Sequence, residues 1–153
     1  MAKPDFPPLL PPGVHQLSMD DLHRLAVAPF PEDMRRGEAF RLFKSWIEAL
    51  QALQVGGKIW LDGSFLTEKP NPSDIDCILW SPKWLDRAIV TPEAEQQVKH
   101  LLDRSVAENI FMLDFYMEAP AADRIFHREA YWSGVMGFAH DRVTAKGFAE
   151  VAL

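Results

Sequence analysis

The sequence predicts an α/β (α+β) domain in which a small mixed β-sheet packs against helices, with a C-terminal β-hairpin. Three observations carry that prediction. After Pro31, the residues Ala39, Phe40, Leu42, Phe43, Trp46, Ile47, Leu50 and Leu53 recur at helical spacing and mark one apolar face. The stretch from Lys58 to Trp80, KIWLDGSFLTEKPNPSDIDCILW, then reads as two short apolar strands separated by a Gly-Ser turn and a polar loop. A further helical segment separates it from a third apolar strand, Ile110 to Tyr116. At 153 residues the chain is one domain's length and long enough to bury a core. Residues 1–17 read as a Pro-rich arm and residues 18–153 as a single domain.

The elements follow in order. Five prolines within the first twelve positions fix φ and remove donors, so the chain begins as an extended arm. Ser18 followed by Asp21 forms a capping-box pattern for a short helix through Val27, which Pro29 ends. Pro31-Glu32-Asp33 opens the long helix, and Gly56-Gly57 is its expected stop. Ser81-Pro82 is expected to break the second strand. Thr91 caps the next helix, with Pro92 at its first position and Val98, Leu101, Leu102 and Val106 on its buried side. Asn109 leads into the third strand. A helix from Ala121 to Trp132 and a hairpin with arms at Ser133–Phe138 and Thr144–Val151 complete the prediction.

Apolar content of 48% and charged content of 25% are ordinary for a soluble globular protein. A formal net charge of −6 argues against a free-standing nucleic-acid binder, because phosphate contacts draw on Lys and Arg. It leaves a nucleotide substrate open, since a bound metal supplies positive charge locally. The single cysteine, Cys77, cannot form an internal disulfide and reads as a small buried hydrophobe. No run approaches a transmembrane helix in length and the N-terminus lacks a signal-peptide layout, so a cytoplasmic protein without membrane attachment is expected.

Asp74 and Asp76 carry the strongest chemical signal. Alternation along a strand sends both to one face and Ile75 and Cys77 to the other. Two carboxylates side by side repel unless a cation lies between them, and hard divalent cations take oxygen ligands. The bland alternative is a pair of solvated carboxylates at a strand edge, but Ile75, Cys77, Ile78, Leu79 and Trp80 are too apolar for a solvated loop. Asp114 is the lone charge in the third strand, expensive to bury unless paired or bound to metal. Its alternative is a strand-end residue facing solvent.

An apolar residue, Gly63, Ser64, nine intervening residues and then Asp74-Ile75-Asp76 resembles the signature of the DNA polymerase β-like nucleotidyltransferase superfamily. Leu113-Asp114-Phe115 fits the place of that superfamily's third carboxylate. Leu10-Pro11-Pro12-Gly13, Asp62-Gly63-Ser64-Phe65 and the late Lys146-Gly147 add a resemblance to short, uncharacterised bacterial members of the minimal nucleotidyltransferase type. The resemblance covers roughly Arg36 to Tyr116 and implies a nucleotidyltransferase-like core. It also implies transfer of a nucleoside monophosphate from an NTP, ATP favoured, to an acceptor hydroxyl, with release of pyrophosphate. Asp74 and Asp76 would hold two Mg²⁺ ions, with Mn²⁺ as a substitute, and Asp114 would complete the metal that activates the acceptor. Gly63 would let the backbone approach the phosphates, and Ser64 would donate to a phosphate oxygen. Lys69, in the loop before the aspartates, and Lys146 are the further candidate nucleotide contacts, although for Lys146 a solvated surface lysine is the preferred reading and a phosphate contact the alternative.

No sizeable extra domain is present to grip a base or a long acceptor, so a protein partner or homo-oligomer is expected to complete the site. The preferred acceptor is a protein, making the activity AMPylation within a toxin–antitoxin or defence module. The alternative function is a non-catalytic, antitoxin-like module that neutralises a partner by contact. Other chemistries lack their patterns. The five histidines show no HxH or HExxH spacing, and GxGxxG, Walker and GxSxG motifs are absent. A phosphatase DxD would be followed by threonine at position 78, which is isoleucine.

Overall fold

The computed structural model describes residues 3–153 and contains a five-stranded mixed sheet with helices on both faces, in keeping with the predicted class. The strands are β1 (Gly13–Gln16), β2 (Val55–Asp62), β3 (Ile75–Trp84), β4 (Leu113–Glu118) and β5 (Gly147–Ala152), in the order β1-β5-β2-β3-β4. β2 runs antiparallel to β3 and β5, whereas β1 pairs parallel with β5 and β4 parallel with β3. The helices are α1 (Met19–Ala26), α2 (Met34–Ala52), α3 (Pro92–Leu101), α4 (Arg104–Phe111) and α5 (Ile125–Met136). No helix among the described residues is long and apolar enough to cross a membrane.

The caps form as their residue types dictate. Ser18 Oγ accepts from Asp21 N at 3.0 Å while Ser18 N donates to the Asp21 carboxylate at 3.1 Å, closing the capping box of α1. Asp33 caps α2 by accepting from Arg36 N at 3.0 Å. Thr91 caps α3, accepting from Ala94 N.

Several boundaries differ from the sequence expectation. Gln54, at φ 60°, ends α2, and Gly56-Gly57 lie inside β2 instead of stopping the helix. β3 does not break at Ser81-Pro82. A left-handed Ser81 (φ 46°) and a register shift between Gly56 and Lys58 absorb the proline, and the strand continues to Trp84. The single helix expected after Thr91 is two, because Asp103 caps a new start by accepting from Val106 N at 3.0 Å. Ile110 and Phe111 belong to α4, which Met112 ends in the left-handed region (φ 55°), so the third strand begins at Leu113.

The C-terminal hairpin is the largest correction. Ser133 to Met136 is the last turn of α5, which starts at Ile125 and not at Ala121. Phe138 and Ala145 share only an isolated bridge, and β5 pairs with β1 and β2. Trp132 and Met136 explain the helix: both sit on the Trp60–Ile78–Trp80–Phe148 cluster of the sheet. The Pro-rich arm lies on the domain, through Leu9 N to Leu66 O (2.9 Å), Glu68 N to Pro7 O (2.9 Å) and then β1. Its residues 1 and 2 lie outside the described residues.

Strand alternation sorts the two faces. Ile59, Leu61, Ile75, Cys77, Leu79, Leu113, Phe115, Ala149 and Val151 join the large core with α1, α2 and α4, through Leu22, Phe43, Trp46, Leu50 and Ala107. The opposite face carries the aromatic cluster under α5. Past the C-terminus of α5 the same face continues with Asp62, Asp76 and Asp114.

Candidate functional site

Register places the carboxylates. Asp62 on β2 is paired with Asp76 on β3, and Asp76 with Asp114 on β4, so three aspartates form one row across three neighbouring strands. Asp74 precedes β3 by one residue, on the same side as Asp76 by alternation. All four line a cavity of about 490 Å³, together with Gly63, Ser64, Lys69 and Lys146. The structure therefore brings together every candidate site residue of the sequence, and adds Asp62.

Gly63 makes the row possible. Its φ of 82° is a conformation that L side chains rarely adopt, and a Cβ there would lie 1.7 Å from Asp76 Oδ2. The carboxylate of Asp76 thus occupies the space that any other residue at 63 would fill. Ser64 then opens a single 3₁₀ turn, Ser64–Leu66, closed by Leu66 N to Gly63 O at 3.1 Å and Thr67 N to Ser64 O at 3.1 Å.

Arg36 holds the loop that follows. Fully buried, its guanidinium donates to four carbonyls: Ala26 (3.1 Å), Phe65 (2.5 Å), Thr67 (2.7 Å) and Lys69 (2.8 Å). Planar, multidentate donation suits arginine and not lysine. Sequence reading assigned Arg36 no role, yet a signal existed: it stands on the α2 stripe, three residues before Ala39 and seven before Phe43.

The electrostatics are those of crowded, like charges. Burial and the neighbouring charges of Asp74, Asp114 and Asp62 push the Asp76 carboxyl up to about 7. Burial, then Asp114, raises Asp74. Burial raises Asp62 too, even though Lys146 Nζ lies 2.6 Å from its Oδ1. That contact corrects the reading of Lys146 as a solvated lysine, for its side chain is 15% exposed. Arg104, at the start of α4, donates to Asp114 Oδ1 at 3.2 Å and to the Tyr116 hydroxyl at 3.1 Å. Cys77 is buried on the other face, and burial lifts its thiol well above the ordinary range, which removes it as a nucleophile.

Among the described residues, no group of three His, Cys, Asp or Glu side chains is already gathered at metal-holding distances. The donor set nevertheless fits a hard divalent cation: it is made of carboxylate oxygens, and the cradle at Gly63 lets one of them lie against the backbone. A cation here would relieve the repulsion that raises Asp76.

Asp62, Arg104 and the arm residues in the cavity wall were not singled out from the sequence. Each reaches the site by a contact between separate elements: Asp62 beside Asp76 through the β2–β3 register, Arg104 from the start of α4 back onto β4, and the arm across the cavity. No curated protein and no solved structure matches the chain. A family model does match, over residues 4–152, and the chain belongs to that family, DUF6932, a family of unknown function.

Proposed function

We propose that this protein is a metal-dependent nucleotidyltransferase, moving a nucleoside monophosphate from an NTP to an acceptor hydroxyl, preferably on a protein, with release of pyrophosphate. The observation that carries the reading is the in-register row Asp62–Asp76–Asp114 beside Asp74, facing a cavity with Gly63-Ser64 at its edge. Phosphoryl chemistry asks mainly for positioning and charge stabilisation, and this arrangement is suited to both. Two Mg²⁺ ions held by Asp74, Asp76 and Asp114 would stabilise the attacking and leaving oxygens.

The chain's own groups do the rest. Gly63 lets phosphate approach the backbone, and the Ser64 hydroxyl donates to a phosphate oxygen. Lys69 and Lys146 present ammonium charge to the departing pyrophosphate. Arg104 engages Asp114 Oδ1, which leaves Oδ2 to take the acceptor's proton. A protein partner or second copy supplies the grip on the acceptor.

The test is thermal stability with each of the four NTPs plus Mg²⁺ or Mn²⁺, for wild type and for Asp74→Asn/Asp76→Asn. Ligand at 100 times its Kd stabilises by about 2.7 kcal/mol, or roughly 5–10 °C for a domain of this size. A metal-dependent rise lost in the double variant, with α-phosphate label transferred to a protein acceptor, supports the reading. No response to any nucleotide, with a tight protein complex that survives Asp74→Ala, would replace it with a module that acts by contact.

A further inference from the structure

The cavity has a roof that the chemistry above does not use. Lys3, Pro4, Asp5 and Phe6 of the arm line it from one side, and the 138–146 loop lines it from the other. The two meet at one contact: Asp5 Oδ1 accepts from His140 N at 3.3 Å and lies 2.8 Å from His140 Nδ1. Both segments are tied to the body of the domain. Behind the contact the arm is fastened by Leu9 N to Leu66 O (2.9 Å) and Gly147 N to Leu10 O (3.1 Å). The loop is fastened by Lys146 N to Gly137 O (2.8 Å) and leads directly into Lys146. Pro7 and Pro8 lie at a further anchor, where Glu68 N donates to Pro7 O (2.9 Å), and Pro4 stiffens the tip beyond it.

Charge says what the roof is for. The floor is made of aspartates and Lys146 shares its charge with Asp62, so a polyphosphate entering here draws on cations beyond Lys69 and Lys146. Lys3 supplies one, since its ammonium charge acts on the Asp74 carboxyl, and Arg142 on the loop lines the same space. We propose that residues 3–6 are a strap that closes over a bound nucleoside triphosphate, with Lys3 as a phosphate ligand and the Asp5–His140 contact as its latch. This rests on the nucleotidyltransferase reading and adds to it a binding residue and a closing step. Lys3 touches substrate; Asp5 and His140 act through the strap and are positioning residues. Opening the latch admits nucleotide, and closing it slows escape and excludes water from the phosphates.

The experiment measures affinity and release of a fluorescent ATP analogue with Mn²⁺ on the full chain, in wild type, Asp76→Asn, Lys3→Met, Lys3→Arg, Asp5→Asn and His140→Ala. Lys3→Met is expected to weaken binding about tenfold or more, with Lys3→Arg retaining most of it. Asp5→Asn and His140→Ala are expected to speed release several-fold while leaving the ligand-free melting temperature unchanged, a split that a merely structural role would not produce. Nucleotide binding that Asp76→Asn abolishes but the Lys3, Asp5 and His140 variants leave intact, with release no faster, overturns the strap and leaves the nucleotidyltransferase reading standing. Absence of binding by wild type overturns both.

Discussion

On one face of the sheet, Leu61, Cys77 and Phe115 stand in register beneath α2 and α4; one residue further along β2, and one residue back along each of β3 and β4, Asp62, Asp76 and Asp114 stand in register on the other. The strands, pairing and spacing are shared, and only the covering differs. The first row is sealed by a continuous apolar layer and gains free energy with every Å² removed from water. The second is half-sealed: α5 covers Trp60, Ile78 and Trp80 and stops at Met136, leaving the carboxylates under an arm and a loop. A covered face yields stability, and the uncovered part of its reverse becomes a cavity lined by charges that destabilise one another. One side of the sheet is sealed, and the other carries the acidic row into the cavity.

The sharpest break of that comparison lies in its tryptophans. Trp46, fully buried in the large core, stacks on Phe43 (6.3 Å), meets Phe115 edge-on (5.5 Å) and donates to Leu101 O at 2.9 Å. Trp46→Ala is expected to cost about 3–5 kcal/mol in urea denaturation. Trp132, half-buried on the other face with its indole N–H on Glu118 (2.8 Å), should cost about 1–2 kcal/mol when truncated. Equal losses would mean that the α5 face is a core of the same rank.

Next in size is the ion pair at the boundary between the rows. Lys146→Met leaves Asp62 buried and unpaired beside Asp76, a loss of about 2–3 kcal/mol. Adding Asp62→Asn to that variant removes the stranded charge and should restore most of the stability. A double variant as unstable as the single would show that the lysine acts through packing of its stem.

Asp76 reverses the sign. Its folded pKa of about 7 lies above the ordinary 3.8, so the folded state holds a proton that the unfolded state has lost between those values. In chelator, stability should therefore fall as pH rises from about 4 to 7 and level off above. Asp76→Asn should flatten that slope and raise stability at pH 8 by about 2 kcal/mol, while abolishing any stabilisation by metal. A variant that is less stable than wild type at pH 8 would place the aspartate in a structural role.

Much of this was legible in the sequence, for physical reasons that differ by element. The stripe of α2 and the Asp74–Asp76 alternation are local periodicities, and the caps at Ser18 and Thr91 are local chemistry. Asp114 could be read because a lone charge inside an apolar strand is conspicuous. β1 could not, since Gly13-Val14-His15-Gln16 has no alternating apolar pattern and becomes a strand by pairing with β5, more than 130 residues later. The turn Ser133–Met136 reads as a strand by its glycine and valine, and only the aromatic cluster beneath it makes it helix. Asp62 and Lys146 belong to the Asp-Gly-Ser-Phe and Lys-Gly motifs, but that they form one buried pair depends on β5 lying against β2.

Arg104 gives the smallest expected effect on stability and the finest test of how the acidic row is held. Its side chain is 60% exposed, so its contact with Asp114 is screened by solvent, and Arg104→Met should leave the denaturation midpoint within error of wild type. Under the proposed function its influence belongs to the cation equilibrium instead. The guanidinium occupies Asp114 Oδ1, and a divalent ion drawing on the same carboxylate competes with it. Removing Arg104 should therefore raise Mn²⁺ affinity several-fold, measured by titration calorimetry, and the gain should shrink in high salt, where the exposed pair is already weakened. An affinity that falls would mean that Arg104 orients Asp114 toward the ion, and the row would then be prearranged from its β4 end as well as from Gly63.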